Sequence, residues 1–251
     1  MAEASRHSLG PPRVMHGACL VPPVARDWGQ PFSPMKTHRS AALAACFALL
    51  VAPLFSAELE PTLGKKGRVL LDEKFDGATL PKGWTKNTGT LAVVDGVLHA
   101  GEVASEKHVG AFRRALPLGD CAIQLDFKFA GATTFHLGFD PAPGELKKKG
   151  HLFSLVVTPE QWSIMEHADK ADAASKNVVH AKAAAKAAPG EWATLLLEIK
   201  GDVVVAHLTG RAPLRASARD FHVKKPGLVF RVGGKDGAEM LVDNVKVWEL
   251  Q

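Results

Sequence analysis

The sequence predicts an all-β fold, a sandwich of two antiparallel sheets. Three observations lead there. Apolar and polar residues alternate through short runs, the pattern of strands with one buried face. Turn-forming residues separate those runs at regular intervals. Helical periodicity is almost absent, so neither a helix bundle nor an alternating α/β arrangement fits.

The runs begin near Val69. Residues 91–94 and 97–100 are apolar and flank Asp95-Gly96, a strong hairpin signal between apolar runs. The clearest strand is 121–129. Ile123, Leu125, Phe127 and Phe129 share one face, and Ala122, Gln124, Asp126 and Lys128 share the other. Phe135, Leu137 and Phe139 repeat the pattern, opposed by Thr134, His136 and Asp140. Further strands are expected over 153–158, 162–166, 195–200, 203–209, 228–232 and 241–250, with Gly201-Asp202 turning one pair. Lys147-Lys148-Lys149 reads as a solvated loop tip. Gly233, Gly234 and Gly237 read as a hairpin turn. They lie between strands rather than before a helix, so they are not a phosphate cradle. Residues 181–188 fit either a short helix or an edge strand: alanine favours helix, but Pro189-Gly190 ends it after two turns.

Residues 1–57 read differently. Lys36, His38 and Arg39 form a basic region, 41–55 is an apolar run broken by Pro53, and Ser56 and Ala57 suit a cleavage site. This is the three-part pattern of a signal peptide over 35–57, and it implies a periplasmic or extracellular protein. The run is shorter than the ~20 residues of a membrane span, so no spanning anchor is expected. Leu43-Ala44-Ala45-Cys46 looks like a lipobox, but most of the apolar run follows Cys46 instead of preceding it, which disfavours a lipid anchor. A signal is read at an N-terminus, so translation is expected to begin at Met35. Residues 1–34 are then an over-extended start or a disordered leader, and the domain is 58–251 with its core over about 69–250.

Removing that segment changes the bulk properties. Residues 1–57 hold five of the 31 Lys/Arg and two of the 26 Asp/Glu, so the remainder has 26 against 24, a net +2 rather than +5. No nucleic-acid partner is expected at that charge. Cys121 is the one cysteine left, so the domain must be held by its apolar core without an internal disulfide.

Three patches carry a resemblance. They are Leu71-Asp72-Glu73-Lys74-Phe75-Asp76-Gly77 followed by Gly83-Trp84, then Pro189-Gly190-Glu191-Trp192, then Leu241-Val242-Asp243-Asn244-Val245-Lys246-Val247-Trp248. In this order they resemble the concanavalin A-like jelly rolls of bacterial secreted proteins, nearest to the 3-keto-disaccharide hydrolase family. The resemblance spans about 69–250 and rests on patches that are structural. It implies a carbohydrate partner and cleavage of an oxidised sugar, with a metal in some cases. The family carries Glu and Gln beside the sugar on the strand that matches His151 through Thr158, and here that stretch has no carboxylate. The resemblance also implies a structural calcium ion held by the Asp243 side chain and the Gly96 carbonyl, with Asp72 or Asp76 close by.

Glycoside hydrolysis needs two carboxyl groups roughly 5 to 10 Å apart. The Glu-x-Asp-x-x-Glu strand of laminarinase-type jelly rolls is absent, and Glu198 reads as a lone carboxylate on a solvated strand face. Histidines and carboxylates are the usual acid–base groups and ligands. The catalytic candidates are therefore His136, His151, Glu166 and His167, which an enzyme would bring together on one concave face. Asp126 and Asp140 are candidate sugar contacts. Trp84 and Trp162 are candidate stacking platforms, whereas Trp192 and Trp248 are expected to fill the core. No Ser-His-Asp context, Cys-x-x-Cys pair or dinucleotide fingerprint appears. The expected function is sugar binding or hydrolysis of a glycoside, with a non-catalytic envelope or extracellular scaffold as the alternative.

Overall fold

The computed structural model describes residues 58–251; the signal segment, the Cys46 motif and residues 1–34 lie outside the described residues. In chain order the strands are β1 (Lys66–Glu73), β2 (Trp84–Thr88), β3 (Thr90–Val94), β4 (Val97–Gly101), β5 (Gly110–Leu118), β6 (Cys121–Ala130), β7 (Thr134–Phe139) and β8 (Phe153–Val157). There follow β9 (Gln161–Glu166), β10 (Val178–Ala184), β11 (Ala193–Lys200), β12 (Val203–Leu208), β13 (Leu214–Ser217), β14 (Lys225–Gly233) and β15 (Glu239–Leu250). A single 3-10 turn spans Ala104–Glu106. Among the described residues no helix is long and apolar enough to cross a membrane.

The strands form two antiparallel sheets. One has eight strands, in the order β13-β12-β11-β6-β15-β4-β3, with β1 added on β15. The other has seven, in the order β10-β9-β8-β7-β14-β5-β2. The architecture is the expected two-sheet β-sandwich. Its core forms because the alternating apolar faces meet. Phe127 of the first sheet stacks on Phe135 of the second at 5.9 Å, and Phe135 meets Phe230 edge-on at 5.4 Å. The Asp95-Gly96 turn joins β3 to β4 with Val94 opposite Val97, and both turn residues have positive φ (49° and 76°), as a tight hairpin turn requires.

Of the two alternatives for residues 181–188, the edge strand holds: 181–184 belong to β10, where their backbone pairs with β9. Sheet pairing overrides the alanine propensity. One turn expectation changes. The Gly233–Gly237 stretch is not a hairpin, because β14 and β15 lie in different sheets and the stretch crosses between them.

The middle of the outer face of the eight-stranded sheet, over β6, β11 and β15, is covered. Residues 58–64 cross it, and Leu59 and Leu63 pack on Ala122, Leu196, Trp248 and Leu250. The Leu59 amide donates to Gln124 Oε1 at 2.8 Å. Glu198, expected to be solvated, is instead fully buried beneath this strap. It accepts from the Thr62 and Leu63 amides at 2.8 and 2.5 Å, from Thr62 Oγ1 at 3.0 Å and from His207 Nε2 at 2.6 Å. Burial alone would raise its pKa, but those donors hold it below the usual range. A cleft opens on the outer face of the seven-stranded sheet.

Candidate functional site

Strand alternation dictates which side chains reach that face. On β7 the residues Phe135, Leu137 and Phe139 point inward, so His136 points outward, as does Asp140 just beyond the strand end. Register then places neighbours beside them. His136 lies opposite Arg231 of β14 and Val156 of β8. One row along, Arg113 of β5 lies opposite Val229, which lies opposite Gly138.

Five hydrogen-bonding groups are linked at one end of this face. His151 Nδ1 lies 2.5 Å from Asp140 Oδ1, and Arg113 Nη1 donates to Asp140 Oδ2. The His151 and His167 rings meet edge-on at 5.4 Å, and His167 Nε2 shares a 2.8 Å hydrogen bond with Ser154 Oγ. Above these groups an open cleft of about 500 Å³ extends to the β2–β5 edge.

The electrostatics follow from burial in positive surroundings. Burial pushes His136 down to about 4, with Arg231 and His151 adding to the shift. Burial, Arg231 and His151 take His167 down to about 3. Both rings are therefore neutral near pH 7. Burial opposes ionisation of Asp140, but the hydrogen bonds from His151 and Arg113 prevail and bring it to about 2. Burial also lowers the Arg231 pKa, and two buried polar atoms here, Arg231 Nη2 and His136 Nδ1, have no hydrogen-bond partner.

Several expected site residues sit elsewhere. Glu166 shares the inward parity of Trp162 and Ile164 at the sheet end, where it pairs with His180 at 3.0 Å and Lys148 at 3.3 Å. Asp126 is on the other sheet, held by Thr194 Oγ1 at 2.7 Å and Asn244 Nδ2 at 2.9 Å. Trp84 and Trp162 are core residues, not platforms. Trp84 packs between Phe75 and Phe230, and Trp162 is fully buried by its inward register. Trp192, expected in the core, is 45% exposed with Lys128 over its ring. Trp248 is buried, but beneath the strap rather than between the sheets.

Among the residues named for a metal, Asp72 is engaged by Lys246 at 3.5 Å. Gly96 lies in the β3–β4 turn, and Asp243 lies at a β15 bulge where Asn244 has φ 51°. Burial raises the Asp243 pKa, and the neighbouring Asp126 and Asp76 add to that. Among the described residues no group of three or more His, Cys, Asp or Glu is placed to hold a metal ion.

Two arginines were missed from sequence. Arg231 lies within the expected strand 228–232 with outward parity, so alternation could have identified it. Arg113 lies in β5, whose Arg113-Arg114 and Pro117 obscure the strand pattern.

No family model matches the sequence, and no curated protein matches it. Solved structures do share the fold. The laminarinase from Rhodothermus marinus matches with TM-score 0.59 at 10% identity, covering 76% of this chain and 100% of that one. The carbohydrate-binding module CBM66 from Bacillus subtilis matches with TM-score 0.52 at 16% identity, covering 66% and 95%. A Bacillus subtilis protein of unknown function with a galectin-like fold matches with TM-score 0.50 at 14% identity, covering 74% and 98%. At such identities the likeness shows the fold. The chain is a concanavalin A-like jelly-roll sandwich, similar in architecture to a laminarinase and a carbohydrate-binding module.

Proposed function

We propose that this chain binds carbohydrate in the cleft on the outer face of the seven-stranded sheet. One observation carries the reading: fixed polar side chains on a rigid sheet face line an open cleft of about 500 Å³. That the fold is shared with a carbohydrate-binding module and a laminarinase supports it. Titration calorimetry of the chain against a panel of oligosaccharides tests it. Saturable binding of at least one class, weakened by R113Q and H151Q, is the expected result. Heat changes that are absent, or indifferent to both substitutions, would reject it.

Sugar processing is the second reading, and the Asp140–His151 pair favours it. The carboxylate fixes the imidazole through Nδ1, and the ring lines the cleft, where an acid–base group would be needed. Asp140 is the one carboxylate in this cluster, and two are needed for ordinary glycoside hydrolysis. A 3-keto glycoside, as the family resemblance implies, is the substrate class to try. Its turnover by the wild type and not by H151Q would support this reading, and no turnover would leave binding alone.

Two further expectations are proposals. A calcium ion at Asp243 would draw on Asp76 and backbone oxygens such as that of Gly96; the pairing of Val242 with Leu98, which sets Asp243 beside the β3–β4 turn, supports it. A melting temperature unchanged between calcium and chelator would remove it. Export through the 35–57 signal predicts a secreted product starting near Glu58, readable by mass spectrometry.

A further inference from the structure

The cleft lining has an unusual charge balance. Arg113, Arg231 and Lys170 contribute fixed positive charge, His108, His151 and the neutral His167 add ring nitrogens, and among the described residues no carboxylate lines the cleft. Asp140 lies at its margin with both oxygens already engaged, one by His151 and one by Arg113. Asp169, in the loop beside Lys170, turns its carboxylate to the Lys149 and Ala171 amides. Among the described residues Arg231 and Lys170 thus face the cleft with no ion-pair partner within salt-bridge distance, and Arg231 Nη2 is buried without an acceptor. Arg231 is half-buried and stays charged; the nearby Asp140 carboxylate acts on it through space, but the buried Nη2 is left without an acceptor, which is costly.

Resting on the carbohydrate reading above, we propose that the ligand is an anionic saccharide whose sulfate or carboxylate is received between Arg231, Arg113 and Lys170. The physical reasons are charge and geometry. Arginine presents a planar fork that matches the oxygens of a carboxylate or sulfate. Arg113 and Arg231 lie on adjacent strands, two residues apart in register, so both forks reach one group: Arg113 is opposite Val229, and Arg231 is the next outward residue on β14. Asp140 pulls Arg113 from one side and orients it without crossing into the lining. His136 and His167 are neutral at pH 7, so the positive field comes chiefly from the arginines and Lys170.

An array of matched oligosaccharides tests this. Each backbone is presented neutral, O-sulfated and as a uronate, and is probed with the full chain and three variants. K170E changes charge on an exposed loop, R231Q removes the unpartnered fork, and R215E makes the same charge change as K170E on the edge strand β13 of the other sheet. The expected result is preference for the sulfated or uronate member, weakened by raising the salt from about 50 to 500 mM. R231Q and K170E should each weaken it by roughly tenfold or more, and R215E should not. The sulfated and uronate arms then identify which anion is taken. Equal retention of neutral and anionic members, insensitive to K170E, would overturn the anionic inference and leave carbohydrate binding standing. Retention of no saccharide would overturn both. Equal losses in K170E and R215E would reduce the effect to net charge and overturn the site.

Discussion

His136 shows what the site costs the fold. Its Nδ1 is buried without a partner, and burial beside Arg231 depresses its pKa to about 4. The unfolded ring titrates near 6.5, so between about pH 6.5 and 4 the unfolded chain binds the proton that the folded chain refuses. Stability therefore falls as pH falls through that window and levels off below it; the same holds for His167 down to about 3. At about 1.4 kcal/mol per unit of displacement, the loss attached to His136 is on the order of 3 kcal/mol. Replacing His136 with leucine removes both the unpartnered nitrogen and the titration. Urea denaturation at pH 5 should show H136L more stable than wild type, with a flatter stability profile between pH 4 and 6.5. An H136L variant that is less stable at pH 5 would show that the ring has a partner. Glu198 is the opposite case, a buried carboxylate with every neighbour a donor. E198A should cost about 3 kcal/mol, because two amides and an imidazole lose their acceptor. A loss below about 1 kcal/mol would contradict that role.

At the scale of elements, the strap over 58–64 and the edge strand β10 carry the lesson about legibility. Alternation identified the inner faces correctly, because Phe127, Phe135 and Phe230 have one place to go in a sandwich. It could not reveal what covers an outer face. Glu198 and Asp126 alternate like solvated residues, yet a strap with no periodicity of its own buries the first, and Thr194 and Asn244 hold the second. The site was partly legible for the same reason. His136, Asp140, His151 and His167 are brought together, whereas Glu166, one residue before His167, takes the opposite parity and leaves the group. Tryptophans were placed by where they stand along a strand rather than by parity, which is why Trp162 and Trp192 exchanged places. The strap makes its own prediction. A chain beginning at Lys65 loses Leu59, Leu63 and the donors to Glu198, and exposes Leu196 and Trp248. Its melting temperature should drop and it should self-associate, as light scattering would report. A truncation that is monomeric and equally stable would mean the strap does not cover those residues.

At the scale of the whole molecule, the two sheets have different tasks. The eight-stranded sheet is covered over the middle of its outer side by the strap, which serves stability. The seven-stranded sheet is backed by the same core but opens outward into a positively lined cleft. If the proposed saccharide binding holds, binding lost without stability lost should come from substitutions such as K170E, and stability lost without binding lost from E198A. The claim that function resides on the outer face of the seven-stranded sheet is tested most directly by amide chemical shifts of the nitrogen-15-labelled chain, titrated with the oligosaccharide panel. Saturable shifts at Ala111, Arg113, His151, His167 and Arg231, with Thr62, Leu63 and Glu198 unmoved, are what this account predicts. Saturable shifts confined to the strap side or to the Trp192 loop would contradict it.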